Sequence, residues 1–221
     1  MTASLPSLEV IRSRLYASVL SDTLDALGHT GQAMAPQVRP LDDSLVLCGR
    51  ARTGNFMDVY HVAEQGNPYE LEIALIDDLK PGEVVVFACG ASGRIAPWGE
   101  LLSTASTARG GVGCVTDGMT RDVRQIREMR FPVFAGAIGP LDSKGRGYLT
   151  AVDVPVRCAG VLVRPGDLVF GDVDGVVVVP REVEAEVITQ ALAKVEGENR
   201  TRDELRRGMK LGEVYAKYGV L

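Results

Sequence analysis

The sequence is poor in the residues that build zinc cages and disulfide frameworks. It has only two histidines, His29 and His61, and four cysteines, no two of which form a C-x-x-C pair. This spacing argues against a zinc site and favours buried thiols in a reducing compartment. We do not expect a nucleophilic cysteine, because none has a histidine nearby in the sequence.

Long apolar runs and basic clusters are also missing. No stretch approaches the roughly 18 apolar residues of a membrane span, and the N-terminus lacks the pattern of a secretory signal. The formal net charge is -5 without a Lys/Arg stripe, which argues against nucleic-acid binding. We therefore expect one domain over residues 1–221, cytoplasmic, with neither membrane nor nucleic acid as a partner.

The middle of the chain alternates strand-like and helix-like patterns. Apolar runs predict strands at 45–52, 84–89, 112–116 and 131–135, and helical spacing predicts helices at 70–78, 99–109 and 119–129. Such alternation is typical of an α/β fold with a parallel βαβ core and right-handed crossovers.

The two flanks carry different patterns. Residues 1–30 are predicted to form a pair of helices divided near residues 18–21. Short apolar runs at 154–156, 160–163, 168–171 and 176–179 predict a second, partly antiparallel sheet packed on the first. A long charged helix is predicted over 181–207, within a C-terminal helical extension of 181–221. Its polar second half favours docking on another subunit.

Two polar segments follow consecutive predicted strands. Gly99-Glu100-Leu101-Leu102 begins one helix, and Arg121-Asp122 follows the next strand through Asp117-Gly118. Ligands gather at the carboxyl ends of parallel strands, so neighbouring strands would place both segments at one rim. Free N–H groups at a helix start suit a carboxylate, and Arg121 would add a planar guanidinium. One or two carboxylates with water suit Mg²⁺ or Mn²⁺.

The same residues also have purely structural interpretations. Arg121 and Asp122 could form a surface ion pair or a helix cap, and Glu100 could simply complement a helix dipole. Asp117 is predicted to form a turn rather than bind a ligand. The glycine-rich segments 136–140 and 143–147 match no nucleotide-binding motif, and we expect loops there that border the cleft or a subunit contact.

Taken together, these segments resemble the RraA-like family. The matching motifs are Trp98–Ala105, Gly110–Gly118 with Arg121-Asp122, and Pro165–Asp167 with Asp174–Pro180, and the resemblance spans roughly residues 20 to 205. The acid-x20-Arg-Asp spacing is its most specific part. The family includes the class II 4-hydroxy-4-methyl-2-oxoglutarate and 4-carboxy-4-hydroxy-2-oxoadipate aldolases.

The resemblance implies a swivelling β/β/α-type fold in trimers or hexamers with active sites between subunits. It implies a lyase that releases pyruvate from 4-hydroxy-4-methyl-2-oxoglutarate or a related diacid, with oxaloacetate decarboxylation as a further activity. Asp122 would hold Mg²⁺ or Mn²⁺. Arg121 would stabilise the enolate. Backbone groups of Gly99, Glu100, Leu101 and Leu102 would hold the carboxylate, and Glu100, acting through a metal-bound water, would carry the proton.

The chain departs from the family pattern at one position, because many of these aldolases have Asp where Glu100 stands. An acid donated by a neighbouring subunit is matched to Glu198, with Glu196 as the alternative. The resemblance also covers regulators that bind ribonuclease E, but these tend to lack the complete acid-x20-Arg-Asp motif and the long C-terminal helix. A methyltransferase is not supported, since no glycine-rich S-adenosylmethionine loop occurs.

Overall fold

The computed structural model describes residues 5–61 and 66–219. The helices are α1 (Leu8–Arg14), α2 (Ala17–Ala26), α3 (Glu70–Asp77), α4 (Glu100–Ala108), α5 (Val123–Met129), α6 (Glu184–Arg206) and α7 (Leu211–Tyr218). The strands are β1 (Arg39–Pro40), β2 (Leu47–Asp58), β3 (Glu83–Ala88), β4 (Gly113–Thr120), β5 (Val133–Ile138), β6 (Gly147–Val152), β7 (Val156–Cys158), β8 (Val161–Val163), β9 (Leu168–Asp172) and β10 (Gly175–Val179).

One large, strongly curved sheet organises the molecule. Its strand order is β1-β5-β4-β3-β2-β9-β10, with β6 paired to β2. Strands β2 to β5 pair in parallel, which confirms the predicted parallel core. Strands β9 and β10 continue the sheet with antiparallel pairing, and β1 approaches β10 at the far end. The sheet is therefore nearly closed.

The prediction of a separate second sheet is wrong for segments 168–171 and 176–179. Strand β2 is long enough to pair with β9 along Leu47–Arg50 and with β6 along Gly54–Asp58. The later strands therefore join the main sheet, and among the described residues only the short hairpin β7-β8 forms a sheet of its own. Strands β1 and β6 were not predicted.

Alternating side chains divide the core between the two sides of the sheet. The inner side carries Val84, Val86 and Phe134 and packs against the β7-β8 hairpin. On the outer side, helices α3 to α5 cover strands β3 to β5. Helices α1, α2 and α6 cover strands β9 and β10.

Several predicted boundaries also change. The N-terminal pair of helices is confirmed, but it divides at Leu15-Tyr16 rather than near 18–21. Strand β4 continues to Thr120, so helix α5 begins at Val123 and not at Met119. The predicted turn at Asp117 is wrong because this side chain is buried within the strand, where it accepts hydrogen bonds from the backbone N–H groups of Cys89 and Ala159 (2.5 and 3.2 Å).

Helix α6 confirms the predicted long C-terminal helix. Its first half buries Val187, Ile188 and Ala191 against α1 and α2. All four cysteines are free and buried, as predicted. In the described ranges 5–61 and 66–219, no helix combines the length and hydrophobicity that crossing a bilayer requires.

Candidate functional site

The two polar segments predicted from the sequence meet at one rim of the sheet. Strands β3 and β4 are parallel neighbours, so the chain that leaves each strand emerges on the same side. The two exits are joined by hydrogen bonds, since the backbone N–H of Arg121 (3.0 Å) and the hydroxyl of Thr120 (3.2 Å) both donate to the carbonyl of Trp98. Trp98 is itself fully buried and donates to Ser103.

Gly99 allows the Asp122 carboxylate to approach the start of helix α4. A Cβ atom at position 99 would lie 2.6 Å from Asp122 Oδ2 and 3.2 Å from Arg121 Cγ. Asp122 has a left-handed backbone (φ 57°) and accepts a hydrogen bond from the Glu100 N–H (3.1 Å). The first N–H groups of a helix have no acceptor within it, so those of Leu101 and Leu102 stay available at this end of α4.

The Arg121 guanidinium lies between two carboxylates. Its Nε is 3.8 Å from Asp122 Oδ2, and its Nη1 is 3.6 Å from Asp142 Oδ1. The hydroxyl of Tyr69 donates to the other oxygen of Asp142 (2.6 Å). Burial opposes the ionisation of Asp142, but the Tyr69 hydrogen bond, the Arg121 charge and two backbone N–H groups together lower its pKa. Burial and the same hydrogen bond raise the pKa of Tyr69 to about 12.

These groups border a cavity of about 360 Å³. Its apolar wall is formed by Ile73, Ala96, Pro97, Trp98, Leu101 and Leu102, and the rest of its lining by Tyr69, Glu72, Gly99, Arg121, Asp122, Asp142 and Ser143. A cavity of this size with a few convergent polar groups is typical of a site for a small molecule. Arg121 is the only cationic residue among these lining residues.

Glu72 belongs to this lining, and sequence reasoning missed it. The residue is 4% exposed, and its carboxyl accepts a hydrogen bond from Ser143 Oγ (3.4 Å). Burial raises its pKa to about 7, aided by the Asp142 charge and opposed by Ser143 and Arg121. The available signal was its spacing from Leu75, Ile76 and Leu79, which puts Glu72 on the apolar face of helix α3.

Two predicted acids, Glu100 and Glu198, make their contacts outside the cavity in the single chain. Glu100 Oε1 accepts a hydrogen bond from Thr104 (2.7 Å) on the same helix, and Glu100 is not among the residues that line the cavity. Glu198 is bound by the Tyr16 hydroxyl and lies 4.0 Å from Arg202, and burial raises its pKa against the charge of that arginine. The alternative acid, Glu196, pairs with Arg14 at 3.2 Å. The roles predicted for these acids stay predictions.

The donor set fits a cation that keeps most of its water. The Asp122 side chain is 42% exposed, and its carboxylate borders the cavity. Within residues 5–61 and 66–219, no group of three or more histidine, cysteine or acidic side chains could enclose a metal. Mg²⁺ and Mn²⁺ accept oxygen ligands, and Mg²⁺ in particular is held by one or two carboxylates plus waters. Asp122 could hold such an ion.

The fold is a nearly closed α/β sheet, with the start of helix α4, Arg121 and Asp122 together at one rim. A family model described as RraA-like, Aldolase/RraA, matches residues 17–178. The chain therefore belongs to the RraA-like family.

Three relatives show how widely the likeness extends. The 4-hydroxy-4-methyl-2-oxoglutarate aldolase of Thermus thermophilus is 31% identical over 134 residues, which cover 60% of this chain and 78% of the relative. Protein DlpA of Legionella pneumophila is 28% identical over 199 residues, but the match spans 90% of this chain and only 32% of DlpA. Among solved structures, RraAS2 of Streptomyces coelicolor, described as an unusual member of the RNase ES inhibitor RraA family, superposes with a TM-score of 0.77 at 30% identity and covers 90% and 98% of the two chains.

Proposed function

We propose that this protein is a divalent-metal-dependent lyase. Its substrate would be 4-hydroxy-4-methyl-2-oxoglutarate or a related 4-hydroxy-2-oxo diacid, which it would cleave to pyruvate and a second keto acid. The observation that carries this proposal is the convergence of the α4 start, Arg121 and Asp122 on one cavity. The likeness to the Thermus 4-hydroxy-4-methyl-2-oxoglutarate aldolase supports the substrate class.

The residues divide the work of binding. The free N–H groups of Leu101 and Leu102, together with Arg121, would hold the 2-keto acid end of the substrate. Asp122 would hold Mg²⁺ or Mn²⁺, and such an ion supplies Lewis-acid polarisation of a carbonyl group. The apolar wall formed by Trp98 and its neighbours would exclude water from the reacting carbons.

Arg121 would act on charge that appears only during the reaction. When the bond between C3 and C4 breaks, its electron pair moves toward the 2-keto oxygen and generates an enolate. A fixed guanidinium beside that oxygen stabilises the transition state more than the ground state. Asp142 and Asp122 flank Arg121 at 3.6 and 3.8 Å and would keep it in place.

The test is pyruvate release coupled to lactate dehydrogenase, with 4-hydroxy-4-methyl-2-oxoglutarate and oxaloacetate as substrates. We expect Asp122→Ala to lower metal-dependent turnover at least about 100-fold, because the cation would lose its protein ligand. The exposed Asp43→Ala is the matched control. EDTA should abolish turnover by the wild type without lowering its Tm, because a metal ion held by one carboxylate contributes little to the stability of the fold.

Full activity of Asp122→Ala, or turnover unchanged by EDTA, would contradict the proposal. The second candidate is a regulator that binds ribonuclease E, which the description of the Streptomyces structure favours. It predicts tight binding to the ribonuclease, unaffected by Asp122→Ala, and no pyruvate from either substrate.

We also propose that the site is completed in a homotrimer or hexamer. Leu101 lines the cavity and is 77% exposed, which suits a position covered by a neighbouring subunit. Glu198 of such a neighbour stays the predicted second acid. Sedimentation velocity and mass photometry would give the number of subunits.

A further inference from the structure

A lyase of this kind needs a group that carries a proton. The hydroxyl on C4 must lose its proton as the C3–C4 bond breaks, and the enolate carbon C3 must gain a proton before pyruvate leaves. A side chain that performs both steps directly has to reach the cavity, and it has to exchange its proton near neutral pH. Among the described residues that line the cavity, the carboxyls are Glu72, Asp122 and Asp142.

Two of these three carboxyls are already engaged. Asp122 caps helix α4 and would hold the cation. Asp142 is bound by Tyr69 and paired with Arg121, and these contacts keep it ionised. Glu72 differs, because it forms no ion pair within the described residues and accepts a single long hydrogen bond, from Ser143.

We propose that Glu72 is the proton carrier of this site. This inference rests on the proposed lyase function and replaces Glu100 in that role. The structure favours Glu72 because this residue lines the cavity and its carboxyl is bound by Ser143, another lining residue, whereas the Glu100 carboxyl is bound to Thr104 along helix α4. Helix α3 positions Glu72 rigidly, since the neighbouring Leu75 and Ile76 are buried in the core.

A single side chain can account for both proton transfers. The ionised Glu72 takes the proton from the C4 hydroxyl while the C3–C4 electron pair passes into the enolate and C4 becomes a carbonyl carbon. After the second product leaves, the protonated Glu72 returns that proton to C3, and pyruvate forms. The cycle consumes no oxidant, reductant or further proton.

The surroundings of Glu72 are consistent with both halves of this cycle. The charged and titratable groups that face it are Tyr69 just before its own helix, Asp142 beside Ser143, Arg121 after strand β4, and the Cys89 thiol after strand β3. Burial is the main cause that raises its pKa to about 7. A general base and acid works best when its pKa lies near the working pH.

The experiment follows deuterium exchange into the methyl group of pyruvate by proton NMR, in D₂O with Mg²⁺, alongside pyruvate release from 4-hydroxy-4-methyl-2-oxoglutarate. Exchange needs the proton carrier but no C–C cleavage. We expect Glu72→Gln to slow both reactions about 100-fold or more, with pyruvate affinity by calorimetry within about threefold of wild type. The exposed Glu70→Gln should keep nearly full rates.

Glu72→Asp is the second variant, because it keeps a carboxyl but shortens the side chain by one methylene. It should retain partial exchange, with an altered pH profile. If Glu72→Gln fails to fold, full exchange and an unaltered pH profile in Glu72→Asp would overturn the inference. So would wild-type rates in a folded Glu72→Gln, particularly if Glu100→Gln is slow, and the lyase proposal would survive that outcome. A wild-type protein that neither exchanges nor releases pyruvate would overturn both.

Discussion

Two glutamates on the same side of the sheet are almost equally buried, yet their surroundings differ. Glu184 is 2% exposed and Glu72 is 4% exposed. Arg50 donates two hydrogen bonds to the carboxylate of Glu184, at 2.5 and 2.7 Å. Glu72 receives one hydrogen bond from Ser143 at 3.4 Å. Burying a carboxylate is costly unless a cation and hydrogen bonds compensate it, and only Glu184 has an arginine as its partner.

The contrast follows from what covers each region. At Glu184, helix α6 begins over strand β2, next to the closely packed cluster formed with α1 and α2. The Arg50–Glu184 pair joins that helix to the sheet. At Glu72, helix α3 borders the open cavity. A buried carboxyl without a cationic partner, such as that of Glu72, does not stabilise the fold. Such groups are concentrated at functional sites.

Removal of the cavity arginine should have the largest effect, and on activity alone. We expect Arg121→Ala to reduce pyruvate release about 100- to 1,000-fold, as the loss of a group that stabilises a developing oxyanion does. The free energy of unfolding in urea should change by less than about 1 kcal/mol, because ion pairs of 3.6 and 3.8 Å on a side chain 37% exposed add little. Comparable losses of activity and stability would make Arg121 a structural residue.

Removal of Arg50 should lower the stability of the protein and leave its activity unchanged. Arg50→Ala leaves the Glu184 carboxylate buried without a partner, and we expect a loss of about 3 to 5 kcal/mol in the free energy of unfolding. Turnover per folded molecule should not change. The double variant with Glu184→Gln should recover part of the loss in a double-mutant cycle. If Arg50→Ala unfolds in urea like the wild type, the arginine does not compensate the buried carboxylate of Glu184, and the two glutamates do not differ.

The sequence allowed the prediction of those parts of the site that are local along the chain. Arg121, Asp122 and Gly99 could be placed together because each follows one of two parallel strands that are joined by one helix. Tyr69 and Asp142 could not, since they are 73 residues apart. Only the folded chain brings the hydroxyl of one onto the carboxylate of the other, which in turn faces Arg121.

The fold shows the same division between local pattern and tertiary context. Helices α3, α4 and α6 and the parallel strands follow from periodicity, and their existence was predicted. The continuation of strand β4 through Asp117-Gly118 was not, because a buried aspartate satisfied by two distant N–H groups resembles a turn in sequence alone. Likewise, the runs at 168–171 and 176–179 were recognised as strands, but a short apolar run does not specify which sheet it joins.

The smallest effect should be the pH dependence of stability at Glu72. Its pKa is near 4.5 in the unfolded chain and about 7 in the folded protein, so the folded state binds the proton more tightly. The resulting stabilisation is fully present below pH 4.5 and is lost as the pH rises through 7. Between pH 4 and 8, the free energy of unfolding of the wild type should therefore fall relative to that of Glu72→Gln by an amount on the order of 2 to 3 kcal/mol. Parallel pH profiles from urea titrations would mean that Glu72 is ionised in the fold without a penalty, and its contrast with Glu184 would disappear.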